Sequence, residues 1–358
     1  QESRGLGDVY KRQAAELDQF EVTDGRQGDR VKLREWLLAA REQYERADQT
    51  IRPLHDALGE REDEFLAAGL YDRIVQLKLD VTFNRAWTDY YLGIISSADD
   101  PQREAALRAA ERGFQALLDS GRAAAMLARC QLGLAMAQRE QGRGELAARS
   151  FRAALEADPD AATAAQVRYE LARCYLRDGK FEEARTVLRP LVENDADKLP
   201  SAEQTARFYV NLAHLWEANS YLVEAQAVRR ELAGSTARKA IAQKMQRCRE
   251  IGLSKLRKLE SRGGAWPAIV QLYISAQVDP AEDPATLSLT ELLYTARQLA
   301  GAAAYDDAAR RLEAALARPE LREDRADRTR DETQLGREIL MELGTCYYRM
   351  ERPAQAAE

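Results

Sequence analysis

The sequence predicts an all-α fold made of helical hairpins, and three features indicate it. Favourable helix formers such as alanine, leucine, glutamate and arginine dominate, whereas alternating Val, Ile and Thr runs typical of strands are absent from the sequence. Apolar residues recur at steps of three and four, as at Ala147, Phe151 and Ala154. Short turns, such as the one around Gly179, separate the helical segments.

A fixed spacing recurs along the chain and indicates repeated hairpins. In four segments a leucine followed by a small residue, alanine or glycine, stands thirteen positions before an alanine of the next helix. The pairs are Leu134 and Ala147, Leu171 and Ala184, Leu212 and Ala225, and Leu343 and Ala356. Similar patterns occur around Ala296 to Ala315 and around Trp87 to Leu117, the latter with a turn stretched by Ser97–Gln102.

This pattern resembles the tetratricopeptide repeat, a helix-turn-helix unit of about 34 residues. The resemblance implies a right-handed α-solenoid of antiparallel hairpins. Within each hairpin, small residues such as Ala135 and Ala147 would let the two helices approach closely, while Phe151 and Leu188 would fill the space between successive hairpins. The connections are longer than is usual for the family.

Four segments follow from the repeat pattern. Residues 14–85 form an N-terminal helical region, either a cap or degenerate repeats. Residues 86–235 hold repeats, and residues 236–285 form a degenerate hairpin with a long helix near Thr236–Glu260 and a second helix that begins at Trp266. Residues 286–358 hold further repeats, interrupted by a charge-dense stretch, Arg318–Thr333, that is interpreted as a solvated loop.

Residues 1–13 are interpreted as an artefactual tail. Ser3 to Gln13 read SRGLGDVYKRQ, which resembles a translated sequencing-library adapter. We therefore expect the true N-terminus to be missing and the natural protein to continue beyond Glu358, as in a metagenomic fragment. The excess of arginine over lysine, 44 against 9, indicates a GC-rich bacterial genome. Localisation stays open between cytoplasm and periplasm.

Composition excludes several classes of function. A net charge of -6 argues against a general nucleic-acid binder, and no run of eighteen apolar residues could span a membrane. Two histidines and four widely spaced cysteines offer no metal-site or redox motif, and known catalytic motifs are absent from the sequence. We therefore predict no catalytic residues, no metal and no cofactor. The cysteines are expected to be small buried side chains.

The resemblance implies a binding groove, because the first helices of tetratricopeptide hairpins line a concave face that usually binds peptides. The residues carried over to that face are Arg129, Met136, Arg139, Tyr169, Arg173, Arg177, Arg207, Asn211 and His214, with Leu132, Gln166 and Val210 beside them. Its arginines would suit an acidic, extended peptide through bidentate contacts. The alternative is that arginine is simply the default surface residue of this genome.

Three functions are compatible with these features. The first is a non-catalytic scaffold that binds a protein or peptide partner. The second is the repeat region of a larger enzyme or of a secretion or signalling protein whose catalytic domain lies outside this sequence. RNA binding by helical hairpins is less well supported, since it needs a basic groove along the whole array. The later repeats place Thr290, Leu293, Arg297 and Glu338 on the matching face.

Overall fold

The computed structural model describes residues 27–97, 99–193, 204–232, 238–260, 262, 264, 266–275, 283–321 and 329–352. Regular structure within these ranges is helical, which confirms the predicted all-α class. The proposed artefactual tail lies outside the described residues. The chain divides into two compact units between Trp216 and Glu217, inside one helix.

The first unit is a series of hairpins preceded by a long helix. Its helices are α1 (Gln27–Asp56), α2 (Glu62–Ala67), α3 (Tyr71–Ile95), α4 (Pro101–Asp119), α5 (Leu127–Glu140), α6 (Gly144–Glu156), α7 (Ala161–Arg177), α8 (Phe181–Val192) and the beginning of α9 (Gln204–Leu232). The pairs α3–α4, α5–α6 and α7–α8 pack as hairpins, and α5 and α7 also pack on the preceding second helix. The predicted boundary at residue 85 falls within α3.

The second unit continues from α9. It contains α10 (Arg238–Glu260), α11 (Trp266–Ser275), α12 (Leu289–Gly301), α13 (Tyr305–Leu316) and α14 (Arg330–Arg349), with short 3-10 turns at Pro284–Thr286 and Pro319–Leu321. The bounds of α10 and α11 agree with the long helix and the second helix expected there. The expected loop after Ala317 ends earlier than Thr333, because α14 begins at Arg330; residues 322–328 lie outside the described residues.

Side-chain caps explain where several helices begin. Asp100 accepts a hydrogen bond from the Gln102 amide before α4, and Asp160 accepts one from the Thr163 amide before α7. Capping boxes precede α12 and α14, where Ser288 pairs with Glu291 and Thr329 with Glu332. The cap at Thr329 supplies the local signal that starts α14 inside the charge-dense stretch.

Small residues line the helix crossings, as the repeat pattern predicted. Ala135 and Ala147 are completely buried within one hairpin, and Phe114 and Phe151 are completely buried beside the next hairpin along the chain. Phe114 packs edge-on against Trp87, with ring centroids 5.2 Å apart. A Cβ atom at Gly133 of α5 would overlap the Phe114 ring, so this crossing accommodates only a glycine without movement.

The turns of the hairpins share one backbone feature. Gly142, Gly179 and Glu351 each lie eight positions after the leucine of the repeat pair, and each has a positive φ, of 78°, 72° and 57°. Ala303 has a φ of 59° in the turn between α12 and α13. The left-handed residue lets the chain reverse after the first helix.

The hairpin predicted at Leu212 to Ala225 is wrong, because α9 is continuous from Gln204 to Leu232. Ser220 occupies the register of Gly142 and Gly179, is buried, and donates its hydroxyl hydrogen to the Glu217 carbonyl. The side chain of Leu222 packs directly against Gly252 of α10. A Cβ atom at Gly252 would lie only 2.8 Å from that side chain. Close packing on α10 therefore stabilises the straight helix where the other repeats turn.

We predict opposite effects of exchanging glycine and alanine at two turn positions. Gly179→Ala should lower the free energy of unfolding by about 1 kcal/mol, because a Cβ is unfavourable at positive φ. Ala303→Gly should raise it by up to about 1 kcal/mol for the same reason. Urea denaturation measures both changes.

Gly59→Ala is the control, since Gly59 has no positive φ and open space around its Cα. Equal stabilities of the Gly179→Ala and Gly59→Ala variants would contradict this assignment of the turns.

Candidate functional site

The candidate site is the first-helix face, defined as the side of α5, α7 and the beginning of α9 that carries the nine predicted groove residues. The structure places Arg129, Met136 and Arg139 on α5 and Tyr169, Arg173 and Arg177 on α7. Asn211 and His214 are half-buried on α9, and the side chain of Arg207 lies outside the described residues.

Arg129 and Arg177 are exposed. The Arg129 guanidinium lies 5.1 Å from the centre of the Phe83 ring, so α5 presents a cation that rests on an aromatic ring of α3. Arg177 lies in the last turn of α7, against Gly144 at the start of α6. Both side chains can therefore reach an approaching anionic group from fixed positions.

Arg173 is held between two aromatic rings. Its guanidinium carbon lies 5.5 Å from the ring centre of Tyr169 and 5.5 Å from that of Trp216. Its Nη1 also donates to Glu170 Oε2 at 3.2 Å, and its side chain is 23% exposed. This contact between α7 and α9 orients the guanidinium, a geometry that the sequence did not reveal.

The prediction that Arg139 offers its charge to a partner is wrong. Arg139 is 6% exposed, and its Nη1 donates to Glu170, which is 2% exposed on α7. Its Nε and Nη2 donate to Glu140 Oε1 at 3.2 and 2.9 Å. The buried Glu170 carboxylate needs a counter-charge, so the Arg139 side chain turns inward between the hairpins.

Met136 and Tyr169 are also buried, at 3% and 4% exposure, and serve as packing residues. Leu132 is likewise buried, and Gln166 contacts the Met136 sulfur at 4.0 Å. Their positions in the repeat indicated that these residues lie on the first helices of the hairpins. Those positions could not show how deeply the neighbouring helix buries the side chains.

Glu140 links the ion pairs of two hairpins. Its Oε2 accepts a hydrogen bond from Arg103 Nη2 of α4 at 2.8 Å, while its Oε1 accepts from Arg139. Burial raises the pKa of Glu140, but the charges and hydrogen bonds of Arg139 and Arg103 outweigh that effect and hold the pKa below its usual range. Glu140 is therefore charged at neutral pH and fixes the position of both arginines.

The cysteines have the environment of packing residues. Cys130, Cys174, Cys248 and Cys346, all among the described residues, are buried thiols. Burial raises the pKa of Cys130 to about 12 and also raises those of Cys174 and Cys346, which keeps these thiols protonated. This environment agrees with the expected structural role.

Within the described ranges, no group of three or more His, Cys, Asp or Glu side chains could hold a metal ion. The helices of those ranges also include none that is both long and apolar enough to cross a bilayer.

Comparison with known proteins identifies one family. The family model of the tetratricopeptide repeat matches residues 138–204, which run from the end of α5 through α8 to the start of α9. This range includes Arg139, Tyr169, Arg173 and Arg177 of the first-helix face. Among curated proteins, none matches the chain.

We predict that Arg139→Met destabilises the protein by about 3 kcal/mol, because Glu170 would lose its main buried counter-charge. The double variant Arg139→Met with Glu170→Met should recover part of that loss, since two apolar side chains can replace the buried Arg139–Glu170 pair while Glu140 keeps its contact with Arg103. Denaturant unfolding at neutral pH measures both. A double variant as unstable as the single one would contradict the assigned pairing.

Proposed function

We propose that the chain is a tetratricopeptide repeat protein that acts as a non-catalytic scaffold, and that its first-helix face binds an acidic, extended segment of a protein partner. The observation that carries this proposal is the orientation of Arg173 between Tyr169 and Trp216, together with the exposure of Arg129 on α5 and of Arg177 on α7. Repeats of this family are interaction modules, which supports a binding role.

The chemistry of the three arginines favours carboxylates. A guanidinium donates two parallel hydrogen bonds to a carboxylate, which gives both direction and charge complementarity. Arg173 is already held by its rings and by Glu170, so less side-chain entropy is lost when a partner binds. Arg129 and Arg177 lie on α5 and α7, so an extended segment that crosses both helices would meet successive basic groups.

Charge reversal at the exposed arginines tests this proposal. The variant Arg129→Glu with Arg177→Glu should bind a labelled glutamate-rich peptide at least about tenfold more weakly than the original chain, because charged hydrogen bonds become repulsive contacts. Fluorescence anisotropy measures the affinity. Binding to the original chain should weaken as salt rises, since these side chains are exposed.

The control is Arg149→Glu with Arg152→Glu on α6, which makes the same charge change at two exposed arginines of a second helix. This variant should retain the affinity of the original chain. Equal losses in the two double variants would show that binding follows net charge alone and would contradict a site on the first-helix face. Arg139 is excluded from the test because it is buried.

A further inference from the structure

A charged cleft lies between α1, α3 and α4, apart from the arginines assigned to partner binding. Its volume is about 260 Å³. The ionisable side chains that line it are Asp48 of α1, Lys78, Arg85 and Asp89 of α3, and Arg112 of α4. The lining therefore carries three cations and two carboxylates, an excess of one positive charge.

The Asp48 carboxylate is satisfied within the protein. Lys78 donates to its Oδ1 and Arg52 donates to its Oδ2. Burial raises the pKa of Asp48, but these two hydrogen bonds and charges outweigh burial and lower it. Asp48 and Lys78 thus neutralise each other at one end of the cleft.

Asp89 has a different environment. It is 2% exposed, and its Oδ1 lies 3.2 Å from Nε of Arg41, yet the alignment is poor and neither atom has a hydrogen-bond partner among the described residues. Its Oδ2 lies 4.0 Å from Nε of Arg85. Burial raises the pKa of Asp89 despite these nearby arginines. The Asp89 carboxylate is therefore buried close to arginines without a well-aligned hydrogen bond among the described residues, which is a costly arrangement.

Two cations of the lining are poorly engaged. Arg85 reaches Glu45 and Asp89 at distances of 3.9 and 4.0 Å, which are too long for hydrogen bonds. Arg112 is exposed at the cleft, and its charge acts on Asp89 from α4. Arg85 and Arg112 therefore both offer donors to an anionic group, next to the buried Asp89 carboxylate.

We propose that this cleft binds a small hydroxycarboxylate, whose carboxylate pairs with Arg85 and Arg112 and whose hydroxyl donates to Asp89 Oδ2, the carboxylate oxygen on the side of Arg85. A neutral hydroxyl suits this carboxylate better than an ammonium group, because the Arg41 guanidinium lies 3.2 Å from its other oxygen. The volume is below the ~300–1,000 Å³ of sites for drug-sized ligands, so a compact molecule fits. This site is independent of the partner-binding proposal.

Calorimetric titration of the full chain with L-malate and with succinate tests the role of Asp89. These two acids differ by one hydroxyl group. L-Malate should bind to one site at least about tenfold more tightly than succinate, the range expected for one hydrogen bond to a charged group. In Asp89→Ala this preference should disappear. Equal affinities for the two acids in the original chain, or no saturable binding of either acid, would overturn the proposal.

Arg112→Gln tests the carboxylate contact without disturbing the fold, because Arg112 is exposed. It should weaken L-malate binding about tenfold, the effect of losing a charge-assisted hydrogen bond. The matched control is Arg108→Gln on the same helix, where an exposed arginine pairs with Glu104. It should leave the affinity unchanged. Unchanged binding by Arg112→Gln, or equal weakening in both variants, would overturn the proposed site.

Discussion

The packing of the first unit depends on one constraint. Successive hairpins approach each other closely at residues that lack large side chains. The Phe114 ring of α4 is completely buried between Trp87 of α3 and Gly133 of α5, where a side chain would overlap it. Ala110 and Ala135, both fully buried, let neighbouring helices pack around this ring. Because each hairpin packs on the preceding one, this spacing determines where the next first helix lies.

That spacing also determines which arginines are available for binding. Where α5 and α7 come close, Arg139 turns inward to the buried Glu170, whereas Arg129 and Arg177 stay exposed. Arg173 lies between these extremes, held by rings of α7 and α9. The packing of the hairpins therefore orients Arg173 and buries Arg139, while Arg129 and Arg177 stay exposed. The binding role that we propose depends on which of these arginines are accessible.

The sequence predicted most of the fold, because alanine spacing and turn residues are local signals. It missed the continuity of α9, since the packing of Leu222 beside Gly252 is a contact between distant residues. The sequence also predicted wrongly that Arg139 is available for binding. The position of a residue in the repeat indicates the side of the helix on which it lies, but not how deeply it is buried. One signal was readable: Asp89 stands within a strongly apolar segment, Ala86 to Ile95, and its carboxylate is buried. Such residues indicate buried charges that need partners.

The most direct test of the packing constraint is the stability of Gly133→Ala. Alanine favours a helix by about 1 kcal/mol over glycine, yet here its methyl group would overlap the fully buried Phe114 ring. Denaturant unfolding should show a loss of about 1–3 kcal/mol. Gly301→Ala, at a helical glycine with open space, should instead be neutral or stabilising. If Gly133→Ala were as stable as Gly301→Ala, the account would be contradicted.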